Sequence, residues 1–179
     1  MTDLRPGLVF DTGPLRHFAL QGWLGVLKYL SRDHDVMIPD TVEIELREQS
    51  QTDAALRLVL EADWITVDRS TDLAYLQEFA RFERLLAAGG RNRGECGVLA
   101  LGTARGHQLI IDDRVASNHA RRAGLNCRGT LALLCDAIRD KKLTVAMVSD
   151  LADDLLTGEY RLPFEKGRFA QWADENGLI

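Results

Sequence analysis

The sequence is short of several things, and each shortage removes a class of protein. It has three cysteines in 179 residues (Cys96, Cys127 and Cys135), an odd number with no Cys-x-x-Cys pair. A disulfide-stapled scaffold is therefore excluded, and a reducing cytoplasm is the expected home. No apolar run approaches the roughly 18 to 20 residues that span a bilayer, so no membrane partner is expected. The opening Met-Thr-Asp-Leu-Arg-Pro-Gly lacks the apolar stretch of a signal peptide. There is no Gly-x-Ser-x-Gly elbow, no His-Glu-x-x-His, no Walker loop and no Gly-x-Gly-x-x-Gly after a strand. Positive charge is also in deficit: 22 Lys+Arg stand against 27 Asp+Glu, a net charge of −5. That balance argues against nonspecific coating of nucleic acid, but not against cutting it.

What is present is an ordinary globular composition, 46% hydrophobic and 27% charged. The length suits one domain burying roughly 70% of its unfolded surface. Short apolar runs at Leu8–Phe10, Val36–Pro39, Trp64–Val67 and Leu109–Ile111 read as strands. Between them, apolar residues recur at helical spacing: Leu15 to Leu30, Val42 to Leu60, Leu73 to Ala88, Glu95 to Arg105 and Val115 to Ala123. Thr130 to Arg139 is strongly helical, and weaker helices follow. Strands alternating with helices predict a three-layer α/β/α sandwich around a mainly parallel sheet. Residues 1–158 are expected to form this domain. Residues 159–179, richer in aromatics (Tyr160, Phe164, Phe169, Trp172), are expected to dock on it as a C-terminal extension.

The informative signal is acid where apolar or neutral residues are expected. Asp11 follows the first strand, and Asp112 and Asp113 follow a later one. Carboxyl ends of parallel strands share one edge, where ligand crevices form. Asp11 and Asp113 could equally cap the helices after them. On a helical wheel Glu45 falls inside the arc of Val42, Leu46 and Gln49, whereas Glu43 and Glu48 fall outside and suit partners such as Arg47. Glu95 lies over Val98, Leu99 and Gly102. A charge on a core-facing stripe is costly unless paired or bound to a cation. Clustered carboxylates repel, a hard divalent cation removes the penalty, and all-oxygen ligation suits Mg²⁺ or Mn²⁺. One or two such ions would activate water for phosphodiester hydrolysis. The four histidines (His17, His34, His107, His119) lack ligand spacing and read as surface or packing residues.

Four motifs in order resemble the PIN domain, the nuclease fold of VapC-type toxins. They are Val-Phe-Asp-Thr-Gly-Pro-Leu at 9–15, Ile-Pro-Asp-Thr-Val-Glu-Ile-Glu-Leu at 38–46, Gly-Glu-Cys-Gly-Val-Leu-Ala-Leu-Gly at 94–102, and Leu-Ile-Ile-Asp-Asp-Arg at 109–114. The third is similar to the branch that uses Glu where many members use Asp. Gly124-Leu125 and Gly129-Thr130-Leu131 also fit that branch. The resemblance implies Asp11, Glu45, Glu95 and Asp113 as metal ligands, with Asp112 assisting in catalysis and close to Asp113 as the fourth ligand. It further implies Mg²⁺ or Mn²⁺ dependence, endoribonuclease activity on RNA, a homodimer, and a small antitoxin whose tail occupies the acidic groove. One departure stands out: the branch usually carries an Arg shortly after the paired acids, and here that place is Ser117. Arg114, Arg121 or Arg122 would then have to meet the substrate phosphate.

Two other readings stay open. One is a PIN-like binding module that has lost catalysis; the other is a PIN nuclease in RNA maturation with no antitoxin. Arg91 and Arg93, in the stretch Gly89 to Gly94, form either a phosphate-contacting arm or a solvated loop, and Arg114 is a further RNA-binding candidate. Leu20 to Leu30 and the tail aromatics fit a dimer surface or core packing. The charge itself is unevenly spread. From Arg91 to Lys142 there are ten Lys+Arg and five Asp+Glu, and three of those five are Glu95, Asp112 and Asp113.

Overall fold

The computed structural model describes residues 7–86 and 91–179. Its organising element is β1 (Leu8–Phe10), buried throughout, as an unbroken apolar run in a central parallel strand requires. The chain then forms α1 (Thr12–Leu20), α2 (Leu24–Ser31), β2 (Val36–Pro39) and α3 (Asp40–Gln49). A 3-10 turn at Ala54–Leu56 leads into α4 (Arg57–Leu60), β3 (Ile65–Asp68) and α5 (Leu73–Leu86). After the undescribed stretch come α6 (Arg93–Arg105), β4 (Gln108–Ile110), α7 (Arg114–Arg122), β5 (Cys127–Arg128), α8 (Thr130–Arg139), α9 (Val145–Thr157) and α10 (Phe169–Glu175). No helix among the described residues is long and apolar enough to cross a membrane.

All five strands are parallel, in the order β3-β2-β1-β4-β5. Leu8 is level with Val36 on one side and Gln108 on the other. The chain winds outward from β1 through β2 to β3, then returns to the far side of β1 for β4 and β5. The loops leaving β1 and β4 therefore diverge, and a crevice opens between them at this topological switch point. Helices cover the sheet as a three-layer α/β/α sandwich, the fold class expected from the alternation of elements.

Two local departures from the sequence pattern have physical causes. The helical spacing from Leu15 to Leu30 is broken into α1 and α2 because Gly22, at φ +75°, turns the chain. The helix expected from Glu95 begins at Arg93, so Arg93 and Gly94 form its first turn. Gly89 and Gly90 lie outside the described residues, as do Ala87 and Ala88 at the end of the predicted helix before them. α6 is buried from Cys96 through Gly102, apolar almost all round, and packs against α5, α3 and three strands. Cys96 and Cys135 are buried in this core, as their apolar surroundings predict.

After α9 the chain continues through Tyr160, which is buried, to α10, which packs back on α9. Phe164, Phe169 and Trp172 hold that end together, with ring centroids 5.0 to 6.5 Å apart. Trp23, just before α2, donates its indole N–H to Asp154 on α9 over 2.9 Å.

Candidate active site at the sheet switch point

The switch-point crevice is an open cavity of about 880 Å³, and all five acids singled out in the sequence line it. Asp11 stands directly after β1, and Asp112 and Asp113 follow β4. Glu45 projects from α3, and Glu95 from the first turn of α6. Arg16, His17, Gln49, Arg114, Glu159, Tyr160 and Arg161 complete much of the lining. Glu43, by contrast, turns away to pair with Arg47 at 2.9 Å and Arg69 at 2.6 Å. Glu45 and Glu43 thus part in three dimensions as they do on the helical wheel.

The five carboxylates are not equivalent. Glu45 has both oxygens engaged: Thr12 Oγ1 donates to Oε2 over 2.6 Å, and the Gly94 amide donates to Oε1 over 2.9 Å. Asp112 is held more tightly still. The Thr130 amide donates to its Oδ1 over 2.8 Å, while the Thr130 and Tyr160 hydroxyls both donate to its Oδ2. Asp113 is a helix cap, its Oδ1 accepting from the Ala116 amide at 2.8 Å. Asp11 occupies the same position before α1, yet makes no capping bond. Its side chain is 4% exposed, and its Oδ1 is buried with no hydrogen-bond partner. The capping alternative thus describes Asp113 and fails for Asp11.

Electrostatics follow from this placement. Burial, then the nearby charges of Glu95, Glu45 and Asp112, push the Asp11 carboxyl well above its ordinary range, with only the Thr12 N–H opposing. Glu95 is raised for the same reasons, burial first and then Glu45 and Asp113. His17, half-buried beside Arg16, is pushed down by desolvation and that positive charge. Two acids therefore resist ionisation unless positive charge arrives.

A hard divalent ion is the charge this donor set fits. The orphaned Asp11 Oδ1 is a buried carboxyl oxygen that no protein donor satisfies, and leaving it so is costly. The lining is rich in carboxylate oxygen, which suits Mg²⁺ or Mn²⁺ rather than a thiolate metal. Among the described residues, however, no group of three His, Cys, Asp or Glu side chains is arranged to hold one ion. Glu45 and Asp112 already accept from protein donors, and Asp113 from the Ala116 amide.

Of the basic residues noted in the sequence, Arg114 lines the crevice. Arg93 does not: it pairs with Glu83 at 3.2 Å and lies over the Phe79 ring. Arg91 is exposed beside the undescribed stretch. Ser117 is buried on the inner face of α7, its hydroxyl donating to the Arg114 carbonyl over 3.2 Å. Thr12, Arg16, Gln49, Tyr160 and Arg161 are crevice residues that the sequence did not single out. Gln49 carries a usable signal, since it shares the helical arc of Glu45. The others arrive by tertiary folding.

A parallel α/β sheet with an acid-lined crevice at its switch point defines a protein of nuclease-like architecture. Residues 7–166 match the family DUF3368, described as a PIN domain, and the chain belongs to the PIN-domain family. No curated protein and no solved structure matches the chain.

Proposed function

We propose that this chain is a metal-dependent endoribonuclease that hydrolyses RNA phosphodiester bonds. The observation that carries the reading is the buried, unpartnered Asp11 Oδ1 in a crevice lined by five further acids, Glu159 among them. Asp11 and Glu95, whose oxygens are least committed, would hold Mg²⁺ or Mn²⁺, with Glu45 and Asp113 completing the site and Asp112 assisting. Such an ion lowers the pKa of a bound water and offsets charge on the leaving oxygen. The protein's own part is to keep that water among oriented carboxylates and to bring the phosphate to them. Arg114 and Arg161 line the same crevice and pair with no carboxylate among the described residues, so their charge is free for phosphate.

The finer reading is a VapC-type toxin of the branch with glutamate as third acid. It would act in the cytoplasm as a homodimer and be restrained by a small antitoxin. Residues 159–179 would be an extension of the same domain. The four ordered motifs support this assignment. A catalytically inert interaction module is favoured by one observation, the engagement of both oxygens of Glu45 and of Asp112 by protein donors.

The test is cleavage of single-stranded RNA by the purified chain with Mn²⁺ or Mg²⁺, alongside Asp11→Asn. Metal-dependent cleavage by the wild type that Asp11→Asn abolishes supports the nuclease. No cleavage by the wild type, or undiminished cleavage by the variant, excludes it.

A further inference from the structure

We propose that Tyr160 is a positioning residue of this site, fixing Asp112 for ion binding; the inference rests on the metal-dependent reading above. The chain leaves α9 through Gly158, and Glu159 then takes φ +63°. A non-glycine residue in the left-handed region persists only where its surroundings over-determine it. Here the turn sends residues 159–161 across the crevice, and all three line it. Tyr160 enters beneath, 9% exposed, its ring tilted onto His17 with centroids 4.6 Å apart.

The hydroxyl is what distinguishes it from a packing residue. It donates to Asp112 Oδ2, and Thr130 Oγ1, a second donor to that oxygen, lies 2.9 Å away. With the Thr130 amide on Oδ1, three of the roughly four lone-pair positions of Asp112 are filled. The remaining one is fixed in direction. A phenylalanine would fill the same space against His17, so packing alone gives no reason for a buried hydroxyl. Hydrogen bonds to ionised acceptors are also about twice as strong as neutral ones, which suits orientation of a carboxylate. Asp11, across the same crevice, has no such clamp. The site thus joins one free acid to one clamped acid.

The experiment is calorimetric titration of the full chain with Mn²⁺, for the wild type, Tyr160→Phe, Asp112→Asn and the double variant, with RNA cleavage measured in parallel. Loss of a hydrogen bond that orients a ligand costs about 10- to 100-fold in metal affinity. Tyr160→Phe is expected to fold as the wild type by circular dichroism and to bind Mn²⁺ about 10-fold more weakly, with an unchanged KM for RNA. In the Asp112→Asn background the same change adds less than about 2-fold, because its partner is already altered. Wild-type affinity in Tyr160→Phe, an equal loss in both backgrounds, or failure of Tyr160→Phe to fold overturns the proposal. A wild type that binds Mn²⁺ but cuts no RNA removes the nuclease reading, while the Mn²⁺ comparison still decides the role of Tyr160. A wild type that binds no Mn²⁺ overturns both.

Discussion

The amide of Gly94 donates to Glu45 Oε1 over 2.9 Å, and this bond ties the first turn of α6 to the middle of α3. It also sets the approach of the two helices. A Cβ on Gly94 would fall 2.5 Å from Glu45 Oε2 and 2.8 Å from Oε1, so any larger residue must displace the carboxylate or the helix.

Gly94→Ala should therefore damage function more than fold. Overpacking of this kind costs about 1–3 kcal/mol. Denaturant titration is expected to show a destabilisation in that range, with metal-dependent cleavage falling at least about 10-fold as Glu45 is moved. Normal cleavage by Gly94→Ala would show that Glu45 is not needed where it stands.

Asp11→Asn should stabilise the metal-free protein. The folded-state pKa of Asp11 lies above its unfolded value, so the folded chain binds the proton more tightly. Stability from this group is complete below the unfolded pKa, near 3.9, and is lost as pH rises through the folded pKa. In EDTA at neutral pH the amide removes that penalty. A gain of about 1 kcal/mol, or about 2–4 °C in Tm for a chain this size, is expected. Lowering the pH from 7 toward 5 should stabilise the wild type relative to the variant. An Asp11→Asn Tm below that of the metal-free wild type at every pH counts against a strained carboxylate.

Charge reversal at Arg114 or Arg161 should act on substrate rather than on chemistry. Both line the crevice, and neither pairs with a carboxylate among the described residues. Single-stranded RNA binding, measured with Asp11→Asn as a non-cutting trap, should weaken about 10-fold or more for each change. The slope of log affinity against log salt should fall by about 0.7 for each phosphate no longer neutralised. Arg93→Glu is the control: Arg93 already pairs with Glu83, so its reversal should unsettle α5 and α6 and leave the salt slope unchanged.

Placing an arginine at Ser117 should not restore what the resemblance leads one to expect there. Ser117 is 8% exposed on the same buried face as Ala116 and Ala120. Ser117→Arg is expected to destabilise by about 1–3 kcal/mol through overpacking, with no gain in cleavage. A faster, equally stable Ser117→Arg enzyme would show that α7 can rotate to present the position.

Much of the fold is legible because its signals are local. Leu8-Val9-Phe10 followed at once by Asp11 gives a buried strand and an acid at its carboxyl end, and the parallel order follows from alternation with helices. Glu45 is separable from Glu43 because a helical wheel needs only the helix itself. Glu95 is visible because the stretch after it, Cys96 to Gly102, is apolar, so an acid at its head stands out. The unseen part depends on contacts between distant segments. Tyr160 is one of several tail aromatics, and nothing in its neighbourhood says that it turns to Asp112, 48 positions earlier, while Phe164, Phe169 and Trp172 pack among themselves. Arg93 has the right type beside Glu95, yet Glu83 and Phe79 on α5 take it. The division of the acids into free and committed ones is likewise a property of donors that only folding supplies.

The order of the crevice residues along the chain carries a consequence for synthesis. Asp11 leaves the ribosome well before Tyr160, which lines the same crevice. A nascent chain that has reached Gly158 already contains all five acids and Thr130, but not Tyr160, the third donor to Asp112. Until Tyr160 emerges, then, the nascent chain carries an unfinished centre beside the RNA that encodes it.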